Sequence, residues 1–460
     1  MTAKVFHAEL WGKRDGKYNW LAERSVETTD WEQVQPDEPF YLFKPFDKSE
    51  VGDYYDWQPI NDVMPINGTG VITKRDFLSI DFDQEVLFDR VCTFAKLTEH
   101  HAKERLKLPK DVRDWRYAWA LADVLESGPS REYVKPILYR AFDSRHIYYT
   151  GRTRGFIGWP VERVMGHMLA GENRGIIARR QMVGDGATYF FAASTIISDG
   201  VIRSDNRGSE SLFPLYLYPG VGKADQSSMF EQWPEGRDGR RPNLDPAFVQ
   251  TIEQVTGLKF VSDGRGDLAA GGTFGPEDVL AYIYAVFHWP EYRRRYEPML
   301  KLDFPRVPPP PPEGGAERFI AFAKLGHELL AAHLLEDGPA SEIAGESIAY
   351  PVNGDNRVEK GYPKYVAANA KPVKVGKVKL EAGDASGGGR VYINAQQYFE
   401  GVEPAVWEFQ IGGYQVCEKW LKDRRGRVLD YDDLTHYPRI AEALRKTMDL
   451  MQRIDEAAGV

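Results

Sequence analysis

Five consecutive prolines at 308–312 constrain this chain more than any other feature. Each proline fixes φ at roughly −65° and has no backbone N–H, so the run is expected as an extended, semi-rigid linker. Beyond it, 316–335 has the spacing of an amphipathic helix, and 346–394 alternates β-like segments with a glycine-rich loop at 383–389. Helices are expected near 411–424 and 437–457. At 460 residues the chain can hold two to four domains of roughly 100–200 residues each.

Before the run, 3–10 alternate as a strand, and a helix starts at Tyr18-Asn19-Trp20-Leu21. A strand opening at Met1 reads as the last strand of a sheet whose remainder is missing. Strand-like pieces stand at 40–43 and 70–73, and helical spacing runs over 84–106 and 111–126 to the stop signal Ser127-Gly128-Pro129. A hairpin is predicted from 134–142, a turn at Asp143-Ser144, and 146–150. Trp159-Pro160 predicts a short helix through Leu169 with proline in its first position. Further strands are expected at 175–180, 188–197 and 212–218, an excursion at 219–243, and helices at 245–256 and 276–289. The parse is 1–82, 83–130, 131–307, 308–345 and 346–460. The fold class is α+β: a helical spacer, a β-rich central unit and a helical C-terminal part.

A formal charge of −9 argues against an indiscriminate polyanion binder, which carries a generalised positive field. Cys92 and Cys417 are the only cysteines, which excludes a Cys-rich zinc module or a disulfide framework and points to a reducing cytoplasm. No basic-then-apolar leader follows Met1 and no long apolar run appears, so secretion and membrane insertion are disfavoured.

Against this acidic background, residues 145–156 (Arg-His-Ile-Tyr-Tyr-Thr-Gly-Arg-Thr-Arg-Gly-Phe) concentrate arginine and aromatics, Tyr148 among them. The surrounding set is Arg140, Arg145, Arg152, Arg154, Arg174, Arg179, Arg180 and Gln181, followed by Arg203, Asn206 and Arg207. Arginine's donor fork suits phosphate oxygens and the O6/N7 edge of guanine, while Gln and Asn suit the N6/N7 edge of adenine. The same residues would equally make a solvated strand face with arginines paired to Asp143, Glu172 and Asp185. A second cluster, Lys419, Lys422, Arg424, Arg425 and Arg427, closes the helix near 411–424, where the macrodipole alone favours cations. Beside Arg390, Tyr392, Asn394 and Gln396 it could instead form a second wall of a nucleic-acid groove.

Other motifs carry less. The GxG within Ser262-Asp263-Gly264-Arg265-Gly266-Asp267 lacks the dinucleotide spacing, and His100-His101 and His327/His333 lack a ligand pattern. No GxSxG elbow or Walker A sequence occurs. Trp407, Phe409, Tyr414 and Trp420 are expected in the core.

Several stretches, taken in order, resemble the C-terminal part of Type ISP restriction–modification enzymes. They include Phe6-His7-Ala8-Glu9-Leu10-Trp11-Gly12-Lys13-Arg14, Pro136-Ile137-Leu138-Tyr139-Arg140-Ala141-Phe142-Asp143 and Tyr148-Tyr149-Thr150-Gly151-Arg152-Thr153-Arg154-Gly155-Phe156. Phe213-Pro214-Leu215-Tyr216-Leu217-Tyr218, Tyr282-Ile283-Tyr284-Ala285-Val286-Phe287-His288 and Trp407-Glu408-Phe409-Gln410-Ile411-Gly412-Gly413-Tyr414 continue the series. The resemblance implies that the first strand ends an adenine-N6 methyltransferase domain and that the rest is a DNA target-recognition region, with 131–307 its core and 346–460 a further recognition subdomain. Departing from the family, the chain has no [Asn/Asp/Ser]-Pro-Pro-[Tyr/Phe] loop for a flipped adenine and no glycine-rich loop for S-adenosylmethionine. That cofactor is therefore expected only in a methyltransferase domain or subunit elsewhere, and no metal or catalytic residue is expected here. The implied partners are double-stranded DNA and that methyltransferase. The alternative is a scaffold that docks a separate methyltransferase or motor subunit without reading DNA; a free-standing methyltransferase ranks below both.

Overall fold

Helix Pro276–His288 has twelve of its thirteen residues buried, so it is apolar on every side and must lie at the centre of a packed body. In the computed structural model, which describes residues 3–459 except 39–40, 46–51, 184–187, 204–207, 222–232, 269–271, 337–347, 377 and 384–387, it does. Helix Gly315–Leu334 crosses it closely: a Cβ on Gly326 would lie 1.9 Å from the Ala281 carbonyl oxygen. Only glycine permits that approach. Helix Tyr431–Ala458 packs on the same pair.

The chain divides into two units, Met1–Asp56 and Trp57–Val460. In the first, strand Val5–His7 pairs antiparallel with Glu32–Val34, and helix Arg14–Glu23 lies between them in sequence. No residue of that helix is buried. An apolar cavity of 480 Å³ is lined by Leu10, Trp20, Leu21, Val26 and Trp31, among others, while Trp11 is 83% exposed.

The second unit holds two four-stranded sheets. One runs Ile196–Ile197, Val134–Arg140, Asp143–Tyr148, Ile80–Asp81; the other Gly68–Thr69, Glu210–Pro214, Gly175–Arg179, Phe190–Ala193. Residues 57–82 are woven into this unit, since Gln58–Pro59 pairs with Arg306–Val307 and Gly68–Thr69 with Glu210–Pro214. The proline run lies along the body, Tyr282 Oη donating to the Pro308 carbonyl, and joins two elements of one unit. The C-terminal region adds a three-stranded antiparallel sheet, Lys364–Val366, Gly389–Tyr392, Tyr398–Val402. The architecture is α+β.

Local chemistry moves several predicted boundaries. The first helical stretch is interrupted: Asp83 caps Gln84–Lys96 through Glu85 N and Val86 N, and Thr98 caps a new helix, Glu99–Arg105. The hairpin turns at Ala141-Phe142, with Phe142 at φ 60°, before the predicted Asp143-Ser144. Tyr414 Oη accepts from Ala141 N and fixes that turn. Pro160 is not the first helical residue, because Val161, at φ 56°, precedes Glu162–Leu169. Predicted 411–424 splits into the ladder Gln410–Ile411 with Tyr414–Gln415 and helix Val416–Lys422. The terminal helix starts earlier than predicted because Asp430 caps it at Asp433 N, with Pro438 tolerated inside.

Candidate nucleic-acid interface

Asp143 is 1% exposed, and a carboxylate so desolvated needs partners. It has two: Arg145 Nη2 at 2.7 Å from Oδ2 and Arg424 Nη2 at 3.0 Å from Oδ1. Arg424 Nε continues to Asp433 at 2.9 Å, while Asp423 takes Arg145 at 3.6 Å and Lys419 in direct contact. The Phe82 ring faces the guanidinium carbons of Arg427, Arg145 and Arg424 at 4.0, 4.1 and 4.9 Å. This cluster ties the central hairpin to the C-terminal helices.

It also places several of the residues expected to contact DNA. Arg145 and Arg424 face inward and hold the fold, while half-buried Lys419 pairs with Asp423 one turn on. Tyr148 is core, its hydroxyl donating to Gly128 O at 3.4 Å. Arg179 is buried beneath Tyr189, 5.5 Å from the ring centroid. Arg203 pairs with Asp199 at 2.7 Å and lies 3.8 Å from buried Glu210, whose carboxyl is pushed up by burial. Asn394 organises a turn, its Oδ1 accepting from Gln396 N and Gln397 N. Polar groups paired in this way have their hydrogen-bonding needs met within the fold.

The remaining candidates are less committed. Arg140 is half-buried over Tyr139. Arg174 pairs with Glu336 at 2.8 Å, Arg180 with Asp303 at 2.7 Å, Lys422 with Glu418 at 2.7 Å, and Arg390 with its cross-strand neighbour Glu400 at 2.7 Å. Gln181 donates to Leu302 O at 3.1 Å and exposed Arg425 to Tyr362 O. Of the acids considered as partners, Asp143 serves arginines of this set, Glu172 pairs with Arg237, and Asp185 lies outside the described residues, as do Asn206 and Arg207.

Loop 150–159 is built differently. Buried Asp123 Oδ2 accepts from Thr150 Oγ1 at 2.8 Å and Phe156 N at 2.7 Å, pinning both ends. Gly155 passes so near that a Cβ there would lie 2.2 Å from Asp123 Oδ2. Arg154, at φ 55°, donates its N–H to Gly158 O at 2.9 Å. The turn this makes projects Arg152 and Arg154, whose side chains are 46% and 45% exposed. The Arg154 guanidinium lies 5.5 Å from the Trp159 ring and 5.9 Å from Trp119, with Arg116 over Trp119 at 4.7 Å.

Around this turn stand residues the sequence reading did not single out. Arg113, 90% exposed, is 4.0 Å from Asp114, which also faces Arg154 at 3.5 Å. Exposed Lys74 is near enough that a Cβ on Gly158 would meet its Cγ at 2.9 Å. Five cations (Lys74, Arg113, Arg116, Arg152, Arg154) and two tryptophans thus surround two carboxylates, Asp114 and Glu126. The signal was present in Arg113-Asp114-Trp115-Arg116-Tyr117-Ala118-Trp119, a basic–aromatic interleaving inside the helical spacer. Such a surface can hold anionic oxygens by charge and flat groups by stacking.

Among the described residues no group of three or more His, Cys, Asp or Glu could hold a metal ion, and no helix is long and apolar enough to cross a membrane. His327 Nε2 instead lies 2.8 Å from Asp278 Oδ1, and His333 bridges Tyr284 and Thr447.

Residues 62–453 match the family described as the Type ISP C-terminal specificity domain. Among curated proteins no significant relative is found. Three solved structures share the fold. The Type ISP restriction–modification enzyme LlaGI, a nuclease-deletion mutant in complex with a DNA substrate mimic, aligns at TM-score 0.60 and 17% identity, over 98% of this chain and 32% of that one. DrdV, in a DNA complex, aligns at 0.59 and 18%, over 98% and 43%. The ATP-dependent Type ISP enzyme LlaBIII bound to DNA aligns at 0.55 and 14%, over 92% and 26%. The chain therefore spans about a third of the length of the first of these.

Proposed function

This chain belongs to the family of Type ISP C-terminal specificity domains, and from that premise we propose that it recognises target sequences in duplex DNA for a restriction–modification system acting on invading phage DNA. The observation that carries the reading is the exposed turn at 150–159, where Arg152 and Arg154 stand with Lys74, Arg113, Arg116, Trp119 and Trp159 on one surface. In the reading, phosphate contacts from these cations set register and one or both loop arginines reach a base edge. Arg140, Arg174, Arg180, Gln181, Arg390, Lys422 and Arg425 supply outer contacts, because exposed ion pairs are worth only about 0–1 kcal/mol and exchange readily for phosphate. Segments 131–307 and 346–460 then form two walls of the groove.

Methyl transfer, S-adenosylmethionine binding and cleavage belong, in the proposal, to a methyltransferase domain or subunit elsewhere, in the cytoplasm. The chain's own sequence supports this division, for its Pro-Pro pairs all fall within 308–312. Titration of fluorescent duplexes with the full chain at about 50 and 200 mM salt tests the proposal, since duplex binding falls steeply with salt. Steep, sequence-selective binding is expected; no binding at the lower salt would overturn it.

A second reading, a docking scaffold, has its own support in the N-terminal unit, where exposed Leu21, Val26 and Trp31 line the apolar cavity and Trp11 and Tyr18 are exposed as well. Salt-insensitive binding to a methyltransferase subunit, with no duplex binding, would favour it.

A further inference from the structure

Residues 371–381 read Lys-Pro-Val-Lys-Val-Gly-Lys-Val-Lys-Leu-Glu, four lysines against one glutamate in a chain of net charge −9. Strands Val373–Val375 and Val378–Leu380 pair antiparallel as a two-stranded ribbon that joins no other described strand. Gly376, at φ 62°, turns it. The register places Val373 opposite Leu380, Lys374 opposite Lys379 and Val375 opposite Val378.

Side chains alternate along a strand, so the apolar positions share one face. Leu380 is buried in a cluster with Tyr362, Val366 and Tyr392, and Val375 and Val378 pack against it. The other face presents Lys374 and Lys379, both exposed and directly across from one another. Like charges in that arrangement weaken a strand pair. Lys379 has Glu381 at 3.2 Å, between side chains both more than half exposed. Lys374 has no carboxylate partner among the described residues, in contrast to cross-strand Arg390–Glu400 in the neighbouring sheet. The fold thus keeps two opposed ammonium groups with a single exposed acid, Glu381, beside one of them.

We propose that this ribbon is a phosphate-backbone contact: its lysine face lies along the sugar–phosphate chain of the duplex, whose phosphates relieve the opposed ammonium groups. The inference rests on the reading of the chain as a duplex-DNA recognition module. Lysine is a point charge on a flexible stem, suited to phosphate and indifferent to sequence, and a two-stranded ribbon is narrow enough to follow a groove.

The test uses the full chain and two duplexes of unrelated sequence. K374Q/K379Q should weaken binding to both duplexes by the same factor. Each phosphate contact accounts for about a threefold loss of affinity between 50 and 200 mM salt, so the double variant should lose roughly tenfold less across that interval. Its melting temperature should hold or rise, since the repulsion is gone, and K374R/K379R should bind as the parent does. Unchanged affinity and salt slope would make the ribbon a solvated face and overturn the proposal while leaving the functional reading intact. A loss confined to one duplex, or an arginine pair as weak as the glutamine pair, would overturn it too. Failure of the parent chain to bind any duplex would remove the functional reading itself, and this inference with it.

Discussion

Arg424 Nη2 lies 3.0 Å from Oδ1 of Asp143, a residue 281 positions earlier in the chain. Both side chains are nearly inaccessible to water, so their attraction is little screened. The contact links the central hairpin to the C-terminal helices, and it also shows where positive charge in this protein is structural.

Asp143→Ala tests that role. The substitution leaves the buried guanidinium of Arg424 with Asp433 as its one carboxylate and Arg145 with the more distant Asp423. Removing one partner of a buried pair costs about 3–5 kcal/mol, and Asp433, which Arg424 keeps, holds the loss toward the lower end of that range. A large fall in melting temperature is expected, and a shift within a degree or so of the parent would show that the cluster is not needed for folding.

Helix crossing gives a second test, Gly326→Val. Its Cβ would meet backbone, the Ala281 carbonyl oxygen at 1.9 Å, which no side-chain rotation relieves. The two central helices must separate, at a cost of about 1–3 kcal/mol or more. Gly257→Ala is the contrasting control for space: nothing lies within 4 Å of a Cβ there, and only the φ of 73° opposes it. Thermal melts should rank Gly326→Val well below Gly257→Ala; the reverse order would contradict the packing described.

How much of this was legible in the sequence depends on the range of the interaction. Helix Pro276–His288 was readable from its apolar ladder and its Pro-Glu-Asp start, because both signals are local. The start of Tyr431–Ala458 was not, because Pro438 masked a helix whose cap, Asp430, lies about two turns earlier. Arg152 and Arg154 stood out through local arginine density. Arg145 and Arg424 stood out in the same way, and nothing local distinguishes them: what turns them inward is Asp143, whose meeting with Arg424 only the folded chain creates. Arg113 and Arg116 were passed over because their stretch was read for helical spacing.

The buried histidines predict a pH dependence. Burial lowers the His333 pKa from 6.5 to about 3, and burial with His333 nearby lowers that of His288 well below its usual value. Both are neutral in the fold and bind protons more readily when unfolded, so stability is complete above the unfolded pKa near 6.5 and declines as pH falls toward about 3. For His333 the slope is about 1.4 kcal/mol per pH unit within that window, and His288 adds to it in the same direction. Melting temperature should drop on acidification below neutrality, and His333→Gln should flatten the decline. A variant with the parent's slope would assign the acid sensitivity to other groups.

Arg154 provides the sharpest probe of recognition, because Trp119 and Trp159 flank it and Asp114 holds it only at 3.5 Å. Truncation to alanine removes a solvent-facing group with a weak surface pair, so the fold should be affected little. Duplex affinity should fall by about 1–3 kcal/mol if the guanidinium meets a base, and the loss should then depend on the duplex sequence. Arg154→Lys separates the two kinds of contact. A lysine retains the charge for phosphate but lacks the planar fork for a base edge or a stacked tryptophan. Recovery by lysine on every duplex would place Arg154 on the backbone. A defect that persists on one sequence would place it at a base, and equal affinity for all three proteins would remove Arg154 from the interface.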